Sequence, residues 1–286
     1  MRTISVIWSR MRGNYSALVG SLLLTCVVLA ALLSPLLAPH DPRAQFLERR
    51  LRPPAFAGGT SENLLGTDQL GRDLLSRIIY GARVSLLVGL AAVMLAGLTG
   101  IALGIISGMF GGALDRAIMR LADVQLAMPF ILFALAVMAV LGPGLRNVIL
   151  VLGVTGWVIY GRVVRSETLS LREKEFVEAS RALGHGRLKI IRRHILPNIL
   201  PTAIVLATLQ VANMIIAEAS LSFLGLGIEP DIPSWGSMLS DGRGYISTAW
   251  WVATFPGIAI MLTVLSINLI GDWLRDSLDP RLRSSI

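Results

Sequence analysis

Six stretches of the chain are apolar almost without interruption, at residues 17–38, 84–110, 117–141, 148–164, 199–226 and 249–273. A helix rises about 1.5 Å per residue, so roughly 20 apolar residues carry it across the hydrocarbon core of a bilayer. A chain in lipid must satisfy its backbone polar groups within each crossing, which favours helices. The pattern therefore predicts an all-α integral membrane protein with six transmembrane helices. The first run reads as a span rather than a cleaved secretion signal. It is longer than the ~7–15 residue core of a signal peptide, and Pro39 follows Ala38, where cleavage would have to fall.

The segments between the runs are not featureless. Pro39, Pro42, Pro53, Pro54, Gly58 and Gly59 make the first half of the 39–83 loop irregular. Then Leu70, Leu74, Leu75, Ile78 and Ile79 fall on one helical stripe, with Arg72, Asp73 and Arg77 on the other. Asp73 and Arg77 are spaced as an i,i+4 pair. This predicts a short amphipathic helix at the outer interface, although the same stripe could simply begin the second span. Two regions follow: residues 1–83 hold the tail, the first span and the external loop with its interfacial helix, and 84–286 hold a five-helix core. Within that core lies a basic loop at about 165–198. Ser170 and Glu173 in it have the spacing of a capping box. Phe176, Ala179, Ser180 and Leu183 form a narrow apolar stripe, Gly184 is placed to close the helix in a left-handed cap, and Gly186 adds a second flexible point. A second basic helix over 187–195 leads to Pro197 and the fifth span. Isolated helices of this length are marginal in water, so the loop packs either on this protein's own face or in a partner's groove.

Within the spans, Gly100, Gly104 and Gly108 recur every four residues, a spacing that lets helix backbones approach closely. It does not say whether the neighbour belongs to this chain. Gln210, Asn213, Ala217 and Ser220 share one small and polar face. Gln210 and Asn213 are candidates for lining a translocation path, and interhelical hydrogen bonding is the competing reading. Glu218 is a third path candidate, although it lies about 80° from Gln210 and about 140° from Asn213 around the helix. Asp123 and Glu218 have no basic partner within their own spans.

Composition and charge narrow the function. Charged residues make up 15% of the chain and hydrophobic ones 54%, against about 25% charged in soluble domains. The net charge of +8 would suggest nucleic acid in a soluble protein. Here the basic residues sit beside apolar spans, so topology explains them and no nucleic-acid partner is expected. Of the Lys and Arg residues, 17 fall on the side of the termini and the 162–198 loop, and 9 on the other. Positive residues favour the cytoplasm, which places both termini and that loop inside. The single cysteine, Cys26, lies in an apolar run and supports neither a disulfide framework nor a metal cluster. His40, His185 and His194 form no ligand set. There is no GxxxxGK[ST] phosphate loop, no HExxH and no GxSxG. The chain looks catalytically empty, which leaves transport or scaffolding. An ion-coupled transporter would have to work through Asp123 or Glu218, a thin set.

The segment "EASRALGHGRLKIIRRHILP" resembles the EAA loop of bacterial ABC importer permeases: EAA, three residues, G, nine residues, I-x-L-P. Glu178, Ala179, Gly184, Leu196 and Pro197 match; Ser180 stands for the second Ala and His194 for the Ile. The stretches "LLSPLLAPHDP", "LLGTDQLGRDLLSRIIYGARVSL", "LSFLGLG", "PSWGSML" and "GDWLRDSLDPRLR" are similar to the dipeptide/oligopeptide/nickel subfamily, on the side of its C-type subunit. The resemblance covers nearly the whole chain. It implies a type I ABC importer permease fold in the bacterial inner membrane and a carried di- or oligopeptide, with nickel, glutathione, haem or opine-like solutes as alternatives. It implies as partners a homologous second permease, two cytosolic ABC ATPase subunits and an extracytoplasmic substrate-binding protein, with ATP and magnesium bound by the ATPases and no cofactor on this chain. Residues around Glu178–Gly184 would form the coupling helix. Phe176 and Leu183 would give it apolar contacts, Glu178 and Arg181 polar ones, beside Ala179 and Gly184, and a hinge at Gly184–Gly186 would let it follow the ATPase.

Overall fold

A computed structural model describes residues 14–278 of the protein. Arg2, Arg10, Arg12, Arg281 and Arg283, counted above for orientation, lie outside the described residues. The first helix, α1 (Tyr15–Leu32), starts where the Asn14 side chain accepts the Ala17 amide at 3.2 Å. After it come one short helical turn at Ser34–Leu37, two 3-10 turns and one isolated bridge, Thr67 with Asp73.

The expected interfacial helix is not a separate element. Asp73 accepts the Ser76 amide at 2.8 Å and caps α2 (Leu74–Phe110), a single helix of 37 residues. At about 1.5 Å per residue such a helix exceeds a hydrocarbon core of about 30 Å, so the apolar stripe from Leu74 onward is the first part of the span itself. The expected Asp73–Arg77 pair is also absent. The Asp73 carboxylate is occupied by Ser76 and by Asn63 at 2.9 Å, and Arg77 turns to other carboxylates.

The third apolar run is broken. It forms α3 (Gly112–Leu126) and α4 (Phe130–Leu141), bent by 91°. Pro129 has no amide hydrogen and pushes Met128 out of the helical region, which ends α3 there. Among the described residues five helices are long and apolar enough to cross a membrane, and six crossings result if the bent pair counts as one. The fourth run extends further than expected: α5 (Leu145–Leu171) includes Ser170, so Ser170 cannot cap the next helix and the expected capping box does not form. Instead α6 (Glu175–Ala182) begins after Lys174 with no side-chain cap, and Glu175 and Glu178 sit in its first turn, where acidic groups suit the helix dipole. The second basic helix and the fifth span are one element, α7 (Arg187–Phe223). A π turn at Ile191–Ile195 precedes Pro197; proline offers no amide and crowds the carbonyl four residues back, and the wider turn accommodates both. Two helices complete the described residues: α8 (Trp235–Gly242), opened by a Ser234/Ser237 capping box, and α9 (Trp251–Leu278).

The glycines of α2 meet α5 of the same chain, which settles the question left open by their spacing. A β-carbon on Gly100 would lie 2.5 Å from the Trp157 carbonyl oxygen, on Gly104 2.7 Å from that of Gly161, and on Gly108 2.6 Å from Thr168 Cβ. On this close-packed pair, α7 packs against α2 and α9, and α1 against α9. One apolar core joins α2, α5, α7, α8 and α9. A second, smaller one gathers Ile105, Val164, Ile190, Ile195 and Ile199 around Val177 of α6.

Candidate functional site

The helix α6 hangs at the basic end of the bundle by one face. Val177 is fully buried in the smaller core and Ser180 is 5% exposed. This corrects the expected stripe: Ser180 belongs to the buried face, whereas Phe176 is 44% and Leu183 76% exposed. On a helical wheel Phe176, Ala179 and Leu183 fall within about 60° of one another, beside the anchored face and turned away from it. Glu178 and Arg181 lie on the other flank, where they line a groove with Arg172, His185 and Arg187. The six candidate residues thus form an apolar flank and a polar flank, with Gly184 at the end. Phe176 keeps one aromatic neighbour, the His194 ring, at 5.8 Å between centroids.

The turn after α6 is strapped more firmly than a free hinge. Gly184 adopts φ +78°, which only glycine enters without strain. The His185 amide donates to the Ser180 carbonyl at 3.2 Å and the Gly184 amide to that of Arg181 at 2.9 Å, a Schellman closure. Ser180 Oγ and His185 Nδ1 add a 3.0 Å contact. Partial desolvation, then the charges of Lys189, Arg193 and His194, hold the His185 imidazole below its ordinary value. Nearby, Arg172 donates to the Gly108 carbonyl at 2.9 Å and Arg165 forks onto Asp115 at 2.5 and 2.7 Å. These bonds tie α5 to α2 and α3.

Gln210 and Asn213 open onto a cavity of about 450 Å³ between α3, α4, α5 and α7. Asn213 donates to Gln210 Oε1 at 2.8 Å. Sequence reasoning missed Gln125, which lines the same cavity; it sits just before the Pro129 break, and its side chain is held by Thr155 and Trp157 of α5. The third path candidate is elsewhere. Glu218 has no exposed surface and accepts from Ser222 at 2.8 Å, Ser234 at 3.1 Å and Ser85 at 3.3 Å. It ties α7 to α2 and to the start of α8 and does not line the cavity, because its helical azimuth points into the bundle. Asp123 pairs with Arg162 of α5 at 2.5 Å, a partner that its own span could not reveal.

The opposite end carries a cluster that sequence patterning placed on a solvated stripe. Arg72 contacts Asp68 at 2.6 Å and Asp241 of α8 at 3.0 Å. Arg77, 1% exposed, bonds Asp68 and reaches Asp241 at 3.2 Å. Its Nε and Nη2 have no partner among the described residues.

Among the described residues no group of three His, Cys, Asp or Glu could hold a metal ion. Comparison with known proteins gives consistent matches. Residues 100–284 match the family described as "Binding-protein-dependent transport system inner membrane component", and residues 4–54 match "N-terminal TM domain of oligopeptide transport permease C". The chain is 44% identical over 279 residues to the di/tripeptide transport system permease protein DppC of Pseudomonas aeruginosa, covering 97% of this chain and 92% of that one. It is 44% identical over 284 residues to the dipeptide transport system permease protein DppC of Escherichia coli K12, covering 99% and 95%. Among solved structures, an inward-facing MetNI methionine ABC transporter aligns with a TM-score of 0.60 at 19% identity, covering 72% of this chain and 98% of that one, which supports the same fold.

Proposed function

The chain belongs to the family of binding-protein-dependent transport system inner membrane components, and from that premise we propose that it is the permease subunit of an ATP-driven importer of di- and oligopeptides. It is a multi-pass membrane protein and a transport component rather than an enzyme. The peptide substrate follows from the printed functions of its relatives at 44% identity. The partners we assign are a homologous second permease, two cytosolic ATPase subunits that bind ATP and magnesium, and an extracytoplasmic binding protein. The basic end and both termini face the cytoplasm of a bacterial cell.

One observation carries the coupling assignment: two large apolar side chains, Phe176 and Leu183, stand exposed on a helix whose adjoining face, at Val177 and Ser180, is sealed to the bundle. An aqueous surface does not stabilise that arrangement; an apolar groove on an ATPase does. Closure of the ATPases would move α6, and the Val177 contact with the bonds of Arg165 and Arg172 would pass that movement to α2, α3, α5 and α7. The strapped turn at Gly184 favours a lever that moves with the bundle over a free hinge. Gln210 and Asn213, with Gln125, would line this chain's half of the path.

Replacing Phe176 and Leu183 with Asp tests the assignment. Both are exposed, so the protein should insert and melt as the parent does. Co-purification of the ATPases and peptide uptake should fall at least about tenfold, the loss of two apolar contacts at an interface. Unchanged co-purification and uptake would show that α6 is not the coupling element.

A further inference from the structure

The proline-rich loop carries an exposed aromatic group on a rigid tip. Phe56 is 70% exposed and sits in a 3-10 turn at Ala55–Ala57, directly after Pro53 and Pro54. The Ala57 and Gly59 amides both donate to the Pro54 carbonyl, at 2.8 and 3.0 Å, and the Ala55 amide donates to that of Leu64 at 3.1 Å. Gly58 closes the turn at φ +94°, a conformation that strains any residue with a β-carbon. The exposure of Phe56 is therefore built in by the backbone around it. The loop is also fastened to the start of α9, where the buried Trp251 donates from Nε1 to the Thr67 carbonyl at 3.1 Å. Phe56 lies beside the first turns of the same helix. Its ring is 6.5 Å from that of Trp250 and 6.4 Å from that of Phe255 between centroids, edge-on to the second. Trp250 and Phe255 are 5.8 Å apart, so the three rings form one cluster.

The surroundings of the cluster say what covers it. The helix α9 is long and apolar enough to cross a membrane, and Phe255 stands one turn inside it. Trp250, Thr254, Ile258, Met261 and Leu265 are all exposed and share one face at helical spacing. The aromatic cluster is thus the end of an exposed surface that runs down a span. Neither residues 53–60 nor residues 244–257 include a charged side chain, whereas the rim of a protein–protein contact is polar. Aromatic rings at the end of a crossing helix sit at the level of the lipid headgroups. We propose that the Phe56 tip is a membrane anchor: Phe56, with Trp250 and Phe255, enters the headgroup boundary of the leaflet at the end opposite α6 and holds the loop down on the bilayer. This goes beyond the transport reading and holds whatever solute the chain carries. The polar part of the loop, where Arg49 and Glu62 pair at 3.0 Å, stays in water. A protein that docks at this end meets that polar part and not the aromatic tip.

The test places a spin label on the tip through Phe56→Cys and, on the same loop, through Glu62→Cys, each in a Cys26→Ser background. Both native side chains are exposed, so neither change disturbs a core. The chain is purified with its partner subunits and reconstituted in nanodiscs of phosphatidylethanolamine and phosphatidylglycerol, and the signal of the complex with Cys26→Ser alone is subtracted. Collisions with oxygen, which enters lipid, are compared with collisions with a nickel chelate, which stays in water. The label at 56 should favour oxygen and report a depth of about 5–10 Å into the headgroup boundary, where the apolar faces of interfacial segments lie. The label at 62 should favour the nickel chelate. Adding the binding protein should leave the ratio at 56 unchanged. A nickel preference at 56 equal to that at 62 puts the tip in water and overturns the anchor. Exclusion of both reagents at 56, in the nanodisc alone or once binding protein is added, shows a protein surface over the tip and overturns it as well. No outcome bears on Phe176 and Leu183, so the coupling assignment stands or falls separately.

Discussion

Arg77 shows how much one buried charge can organise. Its guanidinium lies among Asp68, Asp241 and Arg72 with 1% of its surface exposed. Two carboxylates balance two guanidinium groups, which reduces the cost of taking four charges out of water. The cluster spans three parts of the chain, because Asp68 and Arg72 belong to the loop before α2, Arg77 to α2 and Asp241 to α8. Arg77→Met would leave Asp68 with Arg72 alone. We expect a loss of about 3 kcal/mol, the low end for breaking a buried pair, read from denaturant unfolding in detergent. A loss below about 1 kcal/mol would place the cluster with surface pairs, which contribute little.

At the level of elements, the α2–α5 contact depends on the absence of side chains. A β-carbon on Gly104 would press on the Gly161 carbonyl and on Val164 at 2.7 and 2.8 Å, and a backbone oxygen cannot swing away. Gly97, on the same helix, would meet only the Tyr160 ring at 3.7 Å, an ordinary contact. The two positions should therefore respond in opposite directions to the same change. Gly104→Ala should destabilise the bundle by about 1–3 kcal/mol through overpacking. Gly97→Ala should be neutral or stabilising by up to about 1 kcal/mol, because alanine favours the helix. Thermal melts of the two purified variants against the parent decide it, and equal effects at the two sites would contradict the close-approach account.

Across the whole molecule the two ends differ in chemistry. Exposed basic residues and α6 gather at one, and the proline-rich loop with its ionic cluster at the other. In the topology we propose, the bent α3–α4 pair counts as one crossing, which puts both termini on one side, and the basic end is taken as inside from the charge bias. A cysteine-free background is available by replacing Cys26, the free cysteine exposed on α1. In it, Glu62→Cys should react with a membrane-impermeant maleimide in intact spheroplasts, since that side chain is 57% exposed. Leu183→Cys should react only after lysis. Labelling of position 183 from outside would invert the orientation and remove α6 from the reach of any cytosolic ATPase.

The crossings, their approximate places and the short helix in the basic loop were legible in the sequence, because burial in lipid imposes length and apolarity locally on each segment and leaves the polar helix outside it. Gly184 was legible as a cap for a similar reason: a left-handed residue is a property of one position. The face of α6 that is buried was not, since Val177 rather than the Phe176 stripe meets Ile105, Val164 and Ile190, and those partners come from other helices. The same holds for Arg72 and Arg77, which look like a solvated stripe until the external loop and α8 close over them. Gln125 lines the same cavity as Gln210 from a helix far back in the chain, and Glu218 is taken up by Ser222 of its own helix and by Ser85 and Ser234 from two other parts of the chain. Periodicity gives each helix its own faces. Which face meets water, lipid or a neighbour is set by residues far away in the chain, and only their packing together decides it.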